Sequence, residues 1–121
     1  MEKLEIELGA SRIQDVTVFR LTGPFTLSTM FDFQADLRKP GQKWAIVDLS
    51  GVPYMDSAGL GVLLGHFAHT QRGGYKFALT GISPRLRTIF EITHTDSLLP
   101  IFGTQDEAEN NFEGGASAAT T

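Results

Sequence analysis

The chain has no cysteine in its 121 residues, which excludes a disulfide framework and any thiolate chemistry. It has no apolar run near the ~20 residues of a membrane-spanning helix. Its first residues, Met1-Glu2-Lys3-Leu4-Glu5, lack the basic region and apolar core of a secretory signal. A soluble cytoplasmic protein is therefore expected. Basic charge is also scarce: the net charge is −4, which argues against nucleic acid and anionic membrane as partners.

Several enzyme signatures are missing as well. No G-x-x-x-x-G-K-(S/T) loop occurs. Gly59, Gly61 and Gly65 fall short of G-x-G-x-x-G because Leu64 holds the last position. Three glycines on a helix read instead as permitting close packing or the approach of a partner. There is no G-x-S-x-G elbow to make Ser57 a hydrolase nucleophile. Asp48 and Asp56 echo a phospho-acceptor receiver, but that site needs an acidic pair after an early strand to hold Mg²⁺. Here Val16 to Leu21 runs into Thr22-Gly23-Pro24. His66 and His69 have no third ligand nearby and read as an exposed helix face, and His94 stands in a turn. No metal and no cofactor of its own is expected, and no internal repeat is visible.

What is present is enough chain for one domain with a sizeable core, 41% of it hydrophobic. Lys3 to Leu8 alternates, with Leu4, Ile6 and Leu8 on one side, as a half-exposed strand does. Val16 to Leu21 is a β-branched strand, and a polar turn makes the two an antiparallel hairpin. Leu27, Met30, Phe33 and Leu37 have helical spacing, with Pro40-Gly41 as the stop. Lys76 to Leu79 is a further strand. Ser83-Pro84 opens a helix whose inner face is Leu86, Ile89 and Phe90. Leu99 to Phe102 reads as a short last strand. Thr104-Gln105-Asp106-Glu107 has capping-box spacing for a helix to about Phe112. Strands alternating with helices imply an α/β fold, a mostly parallel sheet covered by helices.

The chain is organised around Trp44 to Arg72. Ala45-Ile46-Val47 is an unbroken apolar run, the pattern of a strand buried on both faces. Ser50-Gly51-Val52-Pro53 breaks it. Ser57 then stands where a helix N-cap belongs, ahead of Leu60, Leu63, Leu64 and Phe67. That places a hydroxyl at a helix N-terminus, where backbone N–H groups favour negative charge. An N-cap serine and a phosphate acceptor are compatible readings of this one residue. Tyr54 and Met55 beside it read equally as a plug at the sheet edge and as a contact patch for a partner.

The segment Asp56-Ser57-Ala58-Gly59-Leu60-Gly61, after an apolar strand ending near Asp48 and a short loop, resembles the phosphorylation segment of the STAS family, the domain of bacterial anti-sigma factor antagonists. The resemblance continues through Gly81-Ile82-Ser83-Pro84-Arg85-Leu86-Arg87 and Leu98 to Ala108. It implies a single STAS-type domain over residues 1–113, a mixed, mostly parallel sheet of about five strands with about four helices. Gly114 to Thr121 would be a disordered tail.

The resemblance also implies a binding module rather than an enzyme. Its partners would be an anti-sigma factor serine/threonine kinase, which phosphorylates Ser57, and a serine phosphatase that resets it. Binding the kinase would release a sigma factor. Thr26, Tyr54, Met55, Asp56, Gly59, Leu60 and Gly61 are the implied partner surface. Two positions depart from the family pattern. Thr26 stands where an acidic residue often helps engage the kinase, and His94-Thr95-Asp96 replaces a Gly-Leu-Asp. Thr26 keeps open an alternative, a non-catalytic STAS subunit of a signalling assembly or lipid-transport complex.

Overall fold

The computed structural model describes residues 2–40 and 44–118. Five strands form one sheet in the order β1 (Glu5–Ala10), β2 (Val16–Thr22), β3 (Trp44–Gly51), β4 (Phe77–Thr80), β5 (Ile101–Phe102). β1 pairs antiparallel with β2, Leu8 opposite Phe19, and every later pairing is parallel. Four helices accompany them: α1 (Phe31–Leu37), α2 (Ser57–Gly73), α3 (Pro84–Ile92) and α4 (Gln105–Ala118). The mixed, mostly parallel α/β architecture is the one expected from the alternating pattern.

Each parallel step moves the same way across the sheet. Crossovers of one hand then place α1, α2 and α3 on the same face. Phe33, Leu37, Leu60, Leu63, Leu86 and Phe90 pack there on Phe19, Leu21, Val47, Leu49, Phe77 and Leu79. α4, after the last strand, covers the other face, where Ala108 and Phe112 pack on Val16, Val18, Ile46 and Ala78. Ala45-Ile46-Val47 of β3 is buried on both sides, as its unbroken apolar run requires.

α4 is locked by a buried carboxylate that sequence patterning did not reveal. Glu109 is 2% exposed. It accepts hydrogen bonds from Ser11 Oγ (2.5 Å), Arg12 N (3.1 Å) and Gln105 Nε2 (3.1 Å), and Arg12 Nε lies 3.4 Å from it. Burial by itself would raise its pKa. The donors and the Arg12 charge outweigh that and hold it below the ordinary glutamate value. The β1–β2 turn is thereby tied to a helix nearly a hundred residues later.

Four expectations are corrected. Leu27 is exposed and lies outside α1, which starts at Phe31. Thr29 Oγ1 donates to Pro24 O (2.7 Å) and accepts from Thr26 N (2.9 Å), so side-chain bonding holds this stretch in turns. Leu8 shares a face with Ile6 but is 65% exposed, because it sits on the edge strand. His66 is buried, at 8% exposure, and not on an open face. The buried stripe of α2 extends through Val62, His66 and Thr70, and His66 meets Phe77 edge-on at 4.9 Å between ring centroids. α4 continues past Phe112 to Ala118, into the stretch expected to be a tail. The rest of that stretch, 119–121, lies outside the described residues, as does Gly41 of the expected α1 stop.

Candidate functional site

β3 delivers the chain to the edge of the sheet at Gly51, and the loop to Met55 carries it to α2. A second loop, from β2, runs alongside. Phe25 and Met55 form an isolated parallel bridge. Phe25 N donates to Tyr54 O (3.1 Å), Asp56 N donates to Phe25 O (3.3 Å) and Gly23 N donates to Gly51 O (2.9 Å). The two loops are therefore one platform, although they are far apart in sequence.

Asp56 joins the platform to the helix, and it corrects the capping assignment: Asp56, not Ser57, is the N-cap of α2. Its Oδ1 accepts from Ala58 N and Gly59 N, both at 3.0 Å, and its Oδ2 accepts from Leu27 N at 3.0 Å. Both residue types cap helices well, and Asp56 holds the extended backbone that a cap needs (φ −101°, ψ −174°). Desolvation pushes the Asp56 carboxyl up, but the bonds from Gly59, Leu27 and Ala58 prevail and leave its pKa below the usual value.

Ser57 becomes the first residue of the helix. It is exposed, and its hydroxyl has no hydrogen-bond partner among the described residues. A hydroxyl relieved of capping is available to an incoming group. It stands at the positive end of a 17-residue helix.

The other named residues divide by exposure. Met55 (4% exposed) and Leu60 (7%) are core, and Gly59 is buried. A Cβ on Gly59 would come within 2.3 Å of Phe25 O, so the first turn of α2 lies on the Phe25 backbone and only glycine fits. These three shape the surface from beneath it. Gly61 is exposed, and a Cβ there would meet nothing within 4 Å. Tyr54 is half-buried and its hydroxyl donates to Glu2 (3.2 Å), which holds its pKa above the ordinary phenol value. Thr26 is half-buried, and its hydroxyl lies 3.1 Å from that of Ser28. Leu27 and Phe31, 58% and 59% exposed, stand on the segment that Asp56 anchors. Sequence reading missed Leu27 as a surface residue because its spacing places it in the apolar stripe of a helix, and it did not single out Phe31. Among the described residues no cluster of His, Asp or Glu could hold a metal ion, and no helix is long and apolar enough to cross a membrane.

The mixed, mostly parallel sheet thus presents an exposed serine at the start of its central crossover helix. The STAS domain family model matches residues 8–108, and the chain belongs to that family. Among curated proteins it is 38% identical over 65 residues to the anti-sigma-B factor antagonist of Listeria monocytogenes. That match spans 54% of this chain and 57% of the relative, so the chain covers little more than half of the relative's length. Among solved structures it resembles a putative anti-sigma factor antagonist from Thermotoga maritima, with a TM-score of 0.78 at 19% identity, covering 88% of this chain and 92% of that one. It also resembles the Bacillus cell fate determinant SpoIIAA in its phosphorylated form, with a TM-score of 0.67 at 20% identity, covering 89% and 99% respectively. At those identities the two structural matches speak for the fold.

Proposed function

We propose that this chain is an anti-sigma factor antagonist whose binding is controlled by phosphorylation of Ser57. The observation that carries the reading is the exposed Ser57 hydroxyl, freed from capping by Asp56 and set at the positive end of α2. The curated relative in Listeria carries that functional name, and the Bacillus protein of the same fold exists in a phosphorylated form. The unmodified chain binds an anti-sigma factor serine kinase and so releases a sigma factor. The kinase phosphorylates Ser57 and loses its hold, and a serine phosphatase resets the cycle. The docking surface consists of Ser57, Asp56 and Gly61 with Leu27 and Phe31, supported from below by Met55, Gly59 and Leu60.

The physics favours a local switch. Phosphorylation adds roughly −1.5 to −2 charge. At an exposed helix N-terminus that is stabilising by roughly 0.3–1 kcal/mol. Asp56, whose carboxylate already occupies the Ala58 and Gly59 amides, repels the phosphate by a similar small amount across solvent. Domain stability then changes little. A partner closing over the same charge with no counter-ion loses several kcal/mol.

The test uses the full chain with the kinase captured from its own cells. Ser57→Ala should bind the kinase and resist phosphorylation. Ser57→Asp should melt close to wild type and bind much more weakly. Phosphate mapped only to another residue, such as Thr26 or Ser83, would refute the assignment.

A further inference from the structure

Along α2, beyond the Ser57 end, a groove opens between α1 and α2. Its volume is about 450 Å³, within the range of small-ligand sites. Arg38, Arg72, His66 and His69 line it, together with Gln34 and the glycines Gly61 and Gly65. No carboxylate is among the lining residues, although the chain as a whole carries −4. Asp36, adjacent in sequence to the lining residue Leu37, is paired with Lys39 at 2.9 Å. Neither arginine has a carboxylate within ion-pair distance among the described residues.

The glycines keep the groove open. A Cβ at Gly61 or Gly65 would meet nothing within 4 Å, so their absence of side chain serves no packing in this chain. Glycine inside a helix is destabilising relative to alanine, so two such positions on one open face need another reason. His66 supplies a second, independent observation. It is nine-tenths buried in the groove wall, and its Nε2 is the one buried side-chain polar atom without a hydrogen-bond partner among the described residues. Native interiors rarely leave such an atom unsatisfied without a role for it.

We infer that the α1–α2 groove binds a compact organic anion, its phosphate or carboxylate held by Arg38 and Arg72 and its body lying on Gly61 and Gly65 beside His66. Arginine forks match both anion types bidentately, so the chemistry is shared between them. The inference does not depend on Ser57, and its test needs no kinase.

The isotope-labelled full chain is titrated with inorganic phosphate, glycerol 3-phosphate and succinate at constant ionic strength, and backbone amide and histidine ring signals are followed. The expected result is saturable shifts centred on Gly61, Gly65, His66 and His69 for at least one probe. Preference for glycerol 3-phosphate or for succinate then tells a phosphate ligand from a carboxylate. Arg38→Gln with Arg72→Gln should weaken that binding at least tenfold. Gly65→Asp, which adds a like charge in open space, should abolish it with the fold intact. Lys76→Gln, outside the groove, should leave it unchanged. Absence of saturation with all three probes overturns the inference. So do shifts centred on Ser57, or equal binding in the arginine double variant. Binding of a pentaglutamate peptide while all three small anions fail also overturns it, and makes the groove a protein-docking surface.

Discussion

Burial of His66 should make this protein lose stability well above the pH at which its carboxylates titrate. Desolvation, helped by the neighbouring His69, lowers the His66 pKa from 6.5 to about 4. As pH falls through 6.5 the unfolded chain takes up a proton on this residue, and the folded chain does not until about pH 4. Unfolding is therefore favoured progressively across that interval, and the loss levels off below it. Between pH 7.5 and 5 the linkage amounts to about 2 kcal/mol. That is a large fraction of a domain stability of about 5–15 kcal/mol. Asp56 and Glu109 do not contribute in this window. Their pKa values are lowered from 3.8 and 4.5, so what they add is lost only under more acid conditions. His66→Leu removes the titrating ring and its unpartnered nitrogen while keeping an apolar contact with Phe77. Urea unfolding at both pH values is the assay. Wild type should lose about 2 kcal/mol, a midpoint shift of roughly 1–2 M urea, and the leucine variant should lose little. Equal losses in the two proteins, or a wild-type loss below about 0.5 kcal/mol, would show that His66 does not set the acid sensitivity.

Three further perturbations test the platform and the core. Asp56→Ala removes the cap and the tie to Leu27 and should cost about 1–2 kcal/mol in urea unfolding, while Asp56→Asn, itself a good cap, should recover most of it. The Asp56 contribution is complete above its unfolded value of 3.8 and fades as pH falls through its lower folded value, so the wild-type advantage over Asp56→Ala should shrink in strong acid. Gly59→Ala should destabilise by about 1–3 kcal/mol because its Cβ meets Phe25 O, whereas Gly61→Ala should gain about 0.5–1 kcal/mol in the same measurement. Glu109→Ala should cost about 2–3 kcal/mol and raise amide exchange in α4 first, since it strands Ser11 and the Arg12 amide.

Local periodicity was enough to specify several elements. The run Ala45-Ile46-Val47 became the central strand, Leu60 and Leu63 became the inner face of α2, and Ser83-Pro84 opened α3 with the Ser83 hydroxyl accepting from Leu86 N. Gly74 ends α2 in the left-handed conformation (φ 73°), one that glycine adopts without steric cost. The Asp56-Ser57-Ala58-Gly59-Leu60-Gly61 motif could also be read directly, and with it the family. Sequence could not choose between two adjacent cap-forming residues. Asp56 takes the cap because its second oxygen also serves Leu27, a partner 29 positions away that only the folded loops bring near. It could not bury His66, since imidazole at helical spacing suits either face until Phe77 closes over it. Nor could it find the Glu109 latch, whose partners Arg12 and Ser11 lie 97 and 98 residues off. Helix and strand periods report which side of an element is apolar. What that side meets, and which polar groups must then be satisfied, is fixed only when distant segments pack and exclude water.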